Sequence, residues 1–272
     1  MGYVTILVTD VEGVRMITLN RPERRNAMTP EMQQELIAAM EEAAASDCSV
    51  VVFAGAGEAF CAGLDLSALQ GMNDKSAADH TADAERIARL FRTLYELPKP
   101  TIAAVHGAAI AGGTGLATMC DFTLAVPGAK FGYTEVRIGF VPAVVSAFLV
   151  LQIGEKPARD LLLTGRIFTS DEAARLGLVT EVVAADKLTA RTLELVGMLR
   201  AEVFELGGVG VELVGHVLGG GEIAAAEQRQ GPAATAEHVA RGRSVPATER
   251  IAHVYALARL TDMPDTGQVG HG

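Results

Sequence analysis

The chain contains no tryptophan and few aromatics of any kind, 4 Tyr and 9 Phe among 272 residues. That scarcity argues against an aromatic-rich lectin or a nucleic-acid reader built on stacking rings. Basic residues are also short: 23 Lys and Arg face 33 Asp and Glu, a formal net charge of −10. A nucleic acid therefore gains no general attraction from this surface, although a small anionic ligand needs only a few local cations. The three cysteines, Cys48, Cys61 and Cys120, form no CxxC and no metal-ligand spacing. An odd count without a framework fits reduced thiols in a cytoplasm, so the expectation is a cytoplasmic chain with no metal site.

Long hydrophobic runs are missing too. The most apolar stretch, Ile138 to Ile153, is too short to span a bilayer and contains Pro142, so it reads as a buried core helix. The N-terminal MGYVTILVTD has no basic region ahead of an apolar one, so no signal peptide and no membrane partner are expected. Several catalytic signatures are absent as well. There is no Gly-Lys-Ser/Thr of a phosphate loop, no GxGxxG, no GxSxG and no HExxH.

What is present is a repeated theme of buried strand, glycine bend and helix start. Tyr3–Thr9 and Val14–Leu19 read as paired strands around Asp10–Gly13. Thr29-Pro30-Glu31 is an N-cap, a first-turn proline and an early acid, and it starts a helix to about Ala45. Ser49–Ala54, Thr101–Val105 and Asp121–Val126 are short apolar strands of the kind buried on both faces of a parallel sheet. Residues 68–82 are polar and aperiodic and read as a mobile loop; Asp83–Leu97 reads as an amphipathic helix. Helical segments near 142–153, 156–164 and 170–176, a strand at 178–183 and a helix at 186–200 follow. The alternation argues α/β. Past residue 200 the pattern weakens, giving a core of 1–200 and a mainly helical region of 201–272.

The two bends are Gly55 to Leu66 and His106 to Leu116. Glycines let a backbone approach a ligand closely, and N–H groups at such turns can bind a developing oxyanion. Taken singly, each bend could equally be a tight corner of the sheet.

Five segments in order resemble the crotonase (enoyl-CoA hydratase/isomerase) superfamily. They are Leu19-Asn20-Arg21-Pro22-Glu23-Arg24-Arg25-Asn26-Ala27-Met28, Phe60-Cys61-Ala62-Gly63-Leu64-Asp65-Leu66, and Lys99 to Gly107 with Gly112-Gly113. Ala129-Lys130-Phe131-Gly132 with Glu135-Val136-Arg137-Ile138-Gly139, and Ala173 to Val179, complete the series. The resemblance implies the crotonase-type, ClpP-like spiral of repeated ββα units. It also implies a helical C-terminal region that builds homotrimers, often paired as hexamers. By position it implies an oxyanion hole from the backbone N–H groups of Leu64 and Gly112, with Glu135 as the proton carrier. Ala62, Leu64, Asp65 and Leu66 would line the coenzyme A pocket and Arg25 would lie near its phosphates. Arg21 and Arg24 could serve there or sit in a solvated turn. No cofactor is implied beyond the coenzyme A of the substrate.

Two amides aimed at a thioester oxygen stabilise an enolate more than the ground state, which is what catalysis requires. Apolar neighbours of Glu135 would raise its pKa; the plainer alternative is a surface glutamate paired with Arg137 or Arg166. One departure from the family stands out. Well-studied hydratases carry a second glutamate twenty residues earlier, and here that position is Gly115. Hydration of a 2-enoyl-CoA is the leading expectation. The alternatives are double-bond isomerisation by one glutamate, a methylglutaconyl-CoA-type hydratase, or a non-catalytic coenzyme A binder. A serine peptidase on a related spiral would need a serine at the bends, and neither bend has one. Cys61 and His106 read as packed residues, Asp121 as a cap, and Thr114 as a hydroxyl without an assigned role.

Overall fold

The computed structural model describes residues 2–67 and 75–205, with backbone alone for 201–205. Strands β1 (Ile6–Val11) and β2 (Val14–Leu19) form an antiparallel hairpin that pairs Val11 with Val14. Its two-residue turn has Glu12 and Gly13 at φ 49° and 77°, the handedness that matches strand twist. From β2 onward the large sheet is parallel. It adds β3 (Val50–Gly55), β5 (Thr101–Val105), β7 (Phe122–Ala125) and β10 (Glu181–Val182), in the order β1-β2-β3-β5-β7-β10.

A second, smaller sheet runs alongside. It contains β4 (Ala59–Cys61), β6 (Ala108–Ile110), β8 (Lys130–Gly132) and the antiparallel β9 (Phe168–Thr169). The chain thus steps from β3 to β4, from β5 to β6 and from β7 to β8. Each step advances one place in both sheets, and this is the spiral of ββα units. Helices α1 (Pro30–Ala45), α2 (Ala77–Tyr95), α3 (Gly112–Thr118), α4 (Ala143–Ile153), α5 (Glu155–Thr164), α6 (Ser170–Leu176) and α7 (Leu188–Glu205) accompany it.

Val50, Val51, Val52 and Phe53 are all fully buried, as a strand covered on both faces must be. Met32, Leu36, Ala39, Met40 and Ala43 of α1 lie on the same core at three- and four-residue spacing. Full burial of each large side chain contributes about 1.5–3 kcal/mol, so this layer anchors the framework that carries the bends. The N-cap is as the sequence indicates: Thr29 Oγ1 accepts from Met32 N–H at 3.1 Å.

Three expectations need correction. The expected loop 68–82 is helical from Ala77; residues 68–74 lie outside the described residues. Ser76 and Asp79 form a reciprocal capping box there, and the first turns of α2 are exposed, so no apolar stripe announces them. The strand at 178–183 shortens to Glu181–Val182. The glycine bends contain the short strands β4 and β6, too brief to show alternation. The expected C-terminal region 201–272 lies outside the described residues except for the end of α7. No helix among the described residues is long and apolar enough to cross a membrane.

Candidate active site

The first bend is held open by one amide side chain. Asn26 is fully buried at φ 56°, a left-handed conformation that asparagine tolerates. Its Oδ1 accepts from Arg21 N–H at 2.9 Å, and its Nδ2 donates to the Ala56 and Ala59 carbonyls, each at 2.8 Å. This clamps the 21–28 segment onto the start of β4. Met28 N–H then donates to the Gly63 carbonyl, and Asp65 N–H donates to the Met28 carbonyl. In such a parallel bridge the residue between, Leu64, turns its own N–H to the opposite side. Asn26→Ala would strand three backbone partners, so we expect a loss of about 3 kcal/mol or more, measured by urea unfolding. Wild-type stability in that variant would show that the clamp is redundant.

The second bend meets the first through two glycines. Gly63 lies at φ +88°, and a Cβ added there would stand 2.8 Å from the Ile110 carbonyl oxygen and 3.5 Å from Gly112 N. Reciprocally, a Cβ on Gly113 would stand 2.3 Å from the Cys61 carbonyl oxygen. The backbones of residues 61–64 and 110–113 are therefore in direct contact. Ala111, at φ 51° and ψ −125°, is in a region costly for a residue with a side chain. Its ψ sets the direction of the next peptide, which carries Gly112 N–H. Among the described residues, neither Leu64 N–H nor Gly112 N–H has an acceptor. Thr114 Oγ1 donates to the Ala109 carbonyl at 2.6 Å and accepts from Gly132 N–H at 3.0 Å, so its hydroxyl ties α3 to the small sheet.

Glu135 follows directly. Ala111 N–H donates to the Gly132 carbonyl at 2.7 Å, and Glu135 is three residues further on, within about 11 Å of Gly132 by chain reach. Burial raises the pKa of its carboxyl above the usual range, and Oε2 is buried with no hydrogen-bond partner. The paired-glutamate alternative fails. Arg166 is bound to Asp160 at 2.6 Å and Glu172 at 2.7 Å, and no ion pair joins Glu135 to Arg137. Beneath this segment Tyr133 is fully buried, with its hydroxyl 3.0 Å from Thr118 Oγ1 of α3.

The positions expected to meet coenzyme A lie at the mouth of the first bend. Arg25 is exposed, at φ 50°, and accepts from Ala62 N–H through its carbonyl at 2.9 Å. Arg24 is also exposed. Arg21 is neither a free cation nor a solvated turn residue: its guanidinium pairs with Asp65 at 2.8 Å. Hydrogen bonds from Ser67 and Arg21 hold the Asp65 carboxyl down to about 2. Asp65 is thus committed to the bend through its side chain and its N–H, and what it can present to a ligand is its backbone carbonyl. Leu66 is 63% exposed, a large apolar side chain facing outward next to Leu64.

Other residues fall where the sequence put them. Cys61 is a packed thiol whose Sγ contacts the Asn26 carbonyl at 3.2 Å; burial pushes it up to about 12. His106 Nε2 lies 2.9 Å from the Gly57 carbonyl, and Asp121 Oδ2 accepts from Thr101 N–H at 2.8 Å. All three cysteines are free and buried, and no group of three metal-ligating side chains occurs among the described residues. Asn26 is the residue that sequence reasoning passed over, although it stands inside the first quoted segment. A polar residue that follows Glu23, Arg24 and Arg25 looks like surface, and nothing local shows that its partners lie thirty residues away.

A two-sheet spiral whose two glycine bends touch, with a half-buried glutamate three residues past β8, has the crotonase class of fold. Residues 9–203 match the family model for enoyl-CoA hydratase/isomerase, and the chain belongs to that family. A Thermus thermophilus relative whose name carries enoyl-CoA hydratase is 46% identical over 175 residues, 64% of this chain and 69% of its own. A Syntrophomonas wolfei protein named crotonyl-CoA hydratase is 31% identical over 203 residues, 73% of this chain and 76% of its own. The crystal structure of an enoyl-CoA hydratase from Shewanella pealeana superposes with a TM-score of 0.75 at 26% identity, covering 96% of this chain and 94% of that one.

Proposed function

We propose that the protein hydrates a 2-enoyl-CoA thioester, with Leu64 and Gly112 N–H donating to the thioester oxygen and Glu135 moving the proton. The observation that carries this reading is the half-buried Glu135 carboxyl, whose Oε2 is buried and lacks any protein partner. A carboxyl kept in that state costs stability, and structures retain such groups mainly where they react. In the proposed step, water oxygen bonds to the β-carbon while the thioester C–O bond gains enolate character. Glu135 takes a proton from the water and passes it to the α-carbon as the enolate returns to the thioester, so one water is consumed, Glu135 ends ionised as it began, and no other reactant is needed. Arg25 would attract the phosphates of coenzyme A, and Ala62, Leu64, Asp65 and Leu66 would lie along its pantetheine and adenine. The chemistry calls on no cofactor beyond the substrate's own coenzyme A.

A second reading is double-bond isomerisation, which one base can perform by taking and returning a proton. Gly115 favours it, because a side chain there would collide with Val145 and Phe91, leaving no room for a second carboxyl. Purified protein offered 2-enoyl-CoA, 3-enoyl-CoA and methylglutaconyl-CoA separates these outcomes. Loss of the 2-enoyl absorbance with water uptake supports hydration; conversion of 3-enoyl to 2-enoyl without it supports isomerisation. No turnover of any thioester, with tight coenzyme A binding, would leave a binding protein. The assembly is proposed to be a homotrimer or hexamer, so light scattering should give three or six times the 28.5 kDa chain mass.

A further inference from the structure

A line of hydrogen bonds runs from the Arg21 guanidinium to the peptide that carries Leu64 N–H. Arg21 Nη1 donates to the Ala27 carbonyl at 2.6 Å. The far side of that peptide, Met28 N–H, donates to the Gly63 carbonyl at 2.7 Å. The far side of the next peptide is Leu64 N–H itself. Both peptides are trans and planar, so each turns its N–H away from its own carbonyl. Two amide dipoles thus stand head to tail between the Arg21 cation and the Leu64 donor. Hydrogen bonds in such a row polarise one another, and a charged donor at the head makes the strongest link.

Arg21 is held at both ends. Asn26 fixes its backbone: Oδ1 accepts from Arg21 N–H, and Asn26 N–H donates to the Arg21 carbonyl, each at 2.9 Å. The same Nη1 that meets Ala27 also meets Asp65 Oδ2 at 2.8 Å, in a pair whose side chains are 19% and 12% exposed. Asp65 Oδ1 is occupied separately, accepting from Ser67 N–H at 3.0 Å and from Ser67 Oγ at 2.6 Å. Asp65 N–H donates to the Met28 carbonyl at 3.0 Å. One nitrogen therefore joins the 27–28 peptide to the residue after Leu64, and the bonds bracket Leu64 on both sides.

We propose that Arg21, fixed by Asp65, is a positioning residue that aims and polarises Leu64 N–H through the Ala27 and Gly63 peptide groups. This rests on the reading that Leu64 N–H meets the thioester oxygen. Without the guanidinium, the Ala27 carbonyl and the Asp65 carboxylate lose their shared donor. The 27–28 peptide can then tilt, the Gly63 carbonyl follows Met28 N–H, and Leu64 N–H turns with it. Misplacing a group that acts on the transition state by about 1 Å costs on the order of 100-fold in rate. The other role open to Arg21, a phosphate ligand, predicts the opposite pattern: weaker coenzyme A binding and an unchanged chemical step.

The test compares wild type with Arg21→Met, which fills the space without donating, and with Arg21→Lys. A single nitrogen makes both bonds in wild type, so an ammonium can stand in for it. The measurements are kcat on the best 2-enoyl-CoA, calorimetric affinity for free coenzyme A, and the absorption maximum of bound hexadienoyl-CoA. Free coenzyme A has no thioester carbonyl, and a conjugated thioester absorbs further to the red as its carbonyl oxygen is polarised. Arg21→Met should lower kcat about 10- to 100-fold and shrink the red shift, with coenzyme A affinity within about twofold of wild type. Arg21→Lys should recover much of both losses. Unchanged kcat and red shift in Arg21→Met, or a loss confined to coenzyme A affinity, would overturn the proposal. Slower turnover with the red shift intact would overturn it too, leaving Arg21 a structural residue only. Should Arg21→Met fail to fold, Arg21→Met/Asp65→Asn decides, because it leaves no unpaired carboxylate and its amide oxygen can still accept both Ser67 bonds. Wild type that turns over a thioester with no red shift on binding would overturn the Leu64 reading and this proposal together. Wild type that shows the red shift without turnover would overturn the proposed hydration, and the shift in the variants then decides the role of Arg21. Wild type that binds no thioester would overturn both.

Discussion

Replacing Gly63 by alanine is expected to lower kcat about 100- to 1,000-fold, the loss typical of removing one oxyanion donor. The added methyl would stand 2.8 Å from the Ile110 carbonyl oxygen and 2.9 Å from Ala111 Cβ, where the neighbours are backbone or a side chain with no freedom to turn. Either the 63–64 peptide or the 110–112 segment must shift, and each carries one of the two proposed donors. Part of any effect would come from φ +88°, which strains every side chain regardless of space. Gly128→Ala separates the two causes. Gly128 has φ +79° with nothing within 4 Å of the added methyl, so its variant should lose about 1 kcal/mol of stability and keep its rate. Gly112→Ala is a gentler test than its position suggests, because its methyl meets only the terminal Cε of Met28, which can swing away. A Gly63→Ala enzyme with wild-type kcat would show that these two bends do not form the hole.

How much of this was legible in the sequence depended on the range of each signal. The buried strands Val50–Gly55 and Thr101–Val105 announced themselves, because a strand covered on both faces needs a continuous apolar run. The α1 start was equally plain, since Thr29, Pro30 and Glu31 act within a single turn. The three-residue strands β4, β6 and β8 left no pattern. Their side chains are buried by the spiral as a whole, and three residues cannot display a period of two. The site was legible as motifs but not as physics. Glycine at 63 and 113 could have been ordinary corners, and only the contact between them shows why a side chain is barred. The Arg21–Asp65 pair spans forty-four residues, so composition alone left Arg21 free to be a phosphate ligand or a solvated charge. Glu135 was the reverse case. By composition it was an exposed glutamate, and the burial that sets its pKa comes from elements distant in the chain.

Glu135→Gln should lower kcat on the best substrate about 100- to 10,000-fold, the usual contribution of one positioned proton carrier, with KM little changed. The same variant also has a stability signature that a bystander would lack. Burial raises the carboxyl pKa in the folded state above its unfolded value. Between those two values the folded protein binds more protons than the unfolded chain, so stability falls as pH rises through the window. The penalty of the buried charge is absent below the ordinary carboxylate range and fully present above the raised folded pKa. Gln carries no charge at any pH. Glu135→Gln should therefore melt at a higher temperature than wild type at pH 8, and this advantage should shrink towards pH 4. The rate profile should report the same group, because the hydration step proposed here draws its base from the ionised form. The acidic limb of kcat/KM for wild type should lie above the normal glutamate range and should vanish in the variant's residual activity. Equal melting curves for the two proteins at every pH, together with unchanged turnover, would show that this carboxyl is solvated and idle.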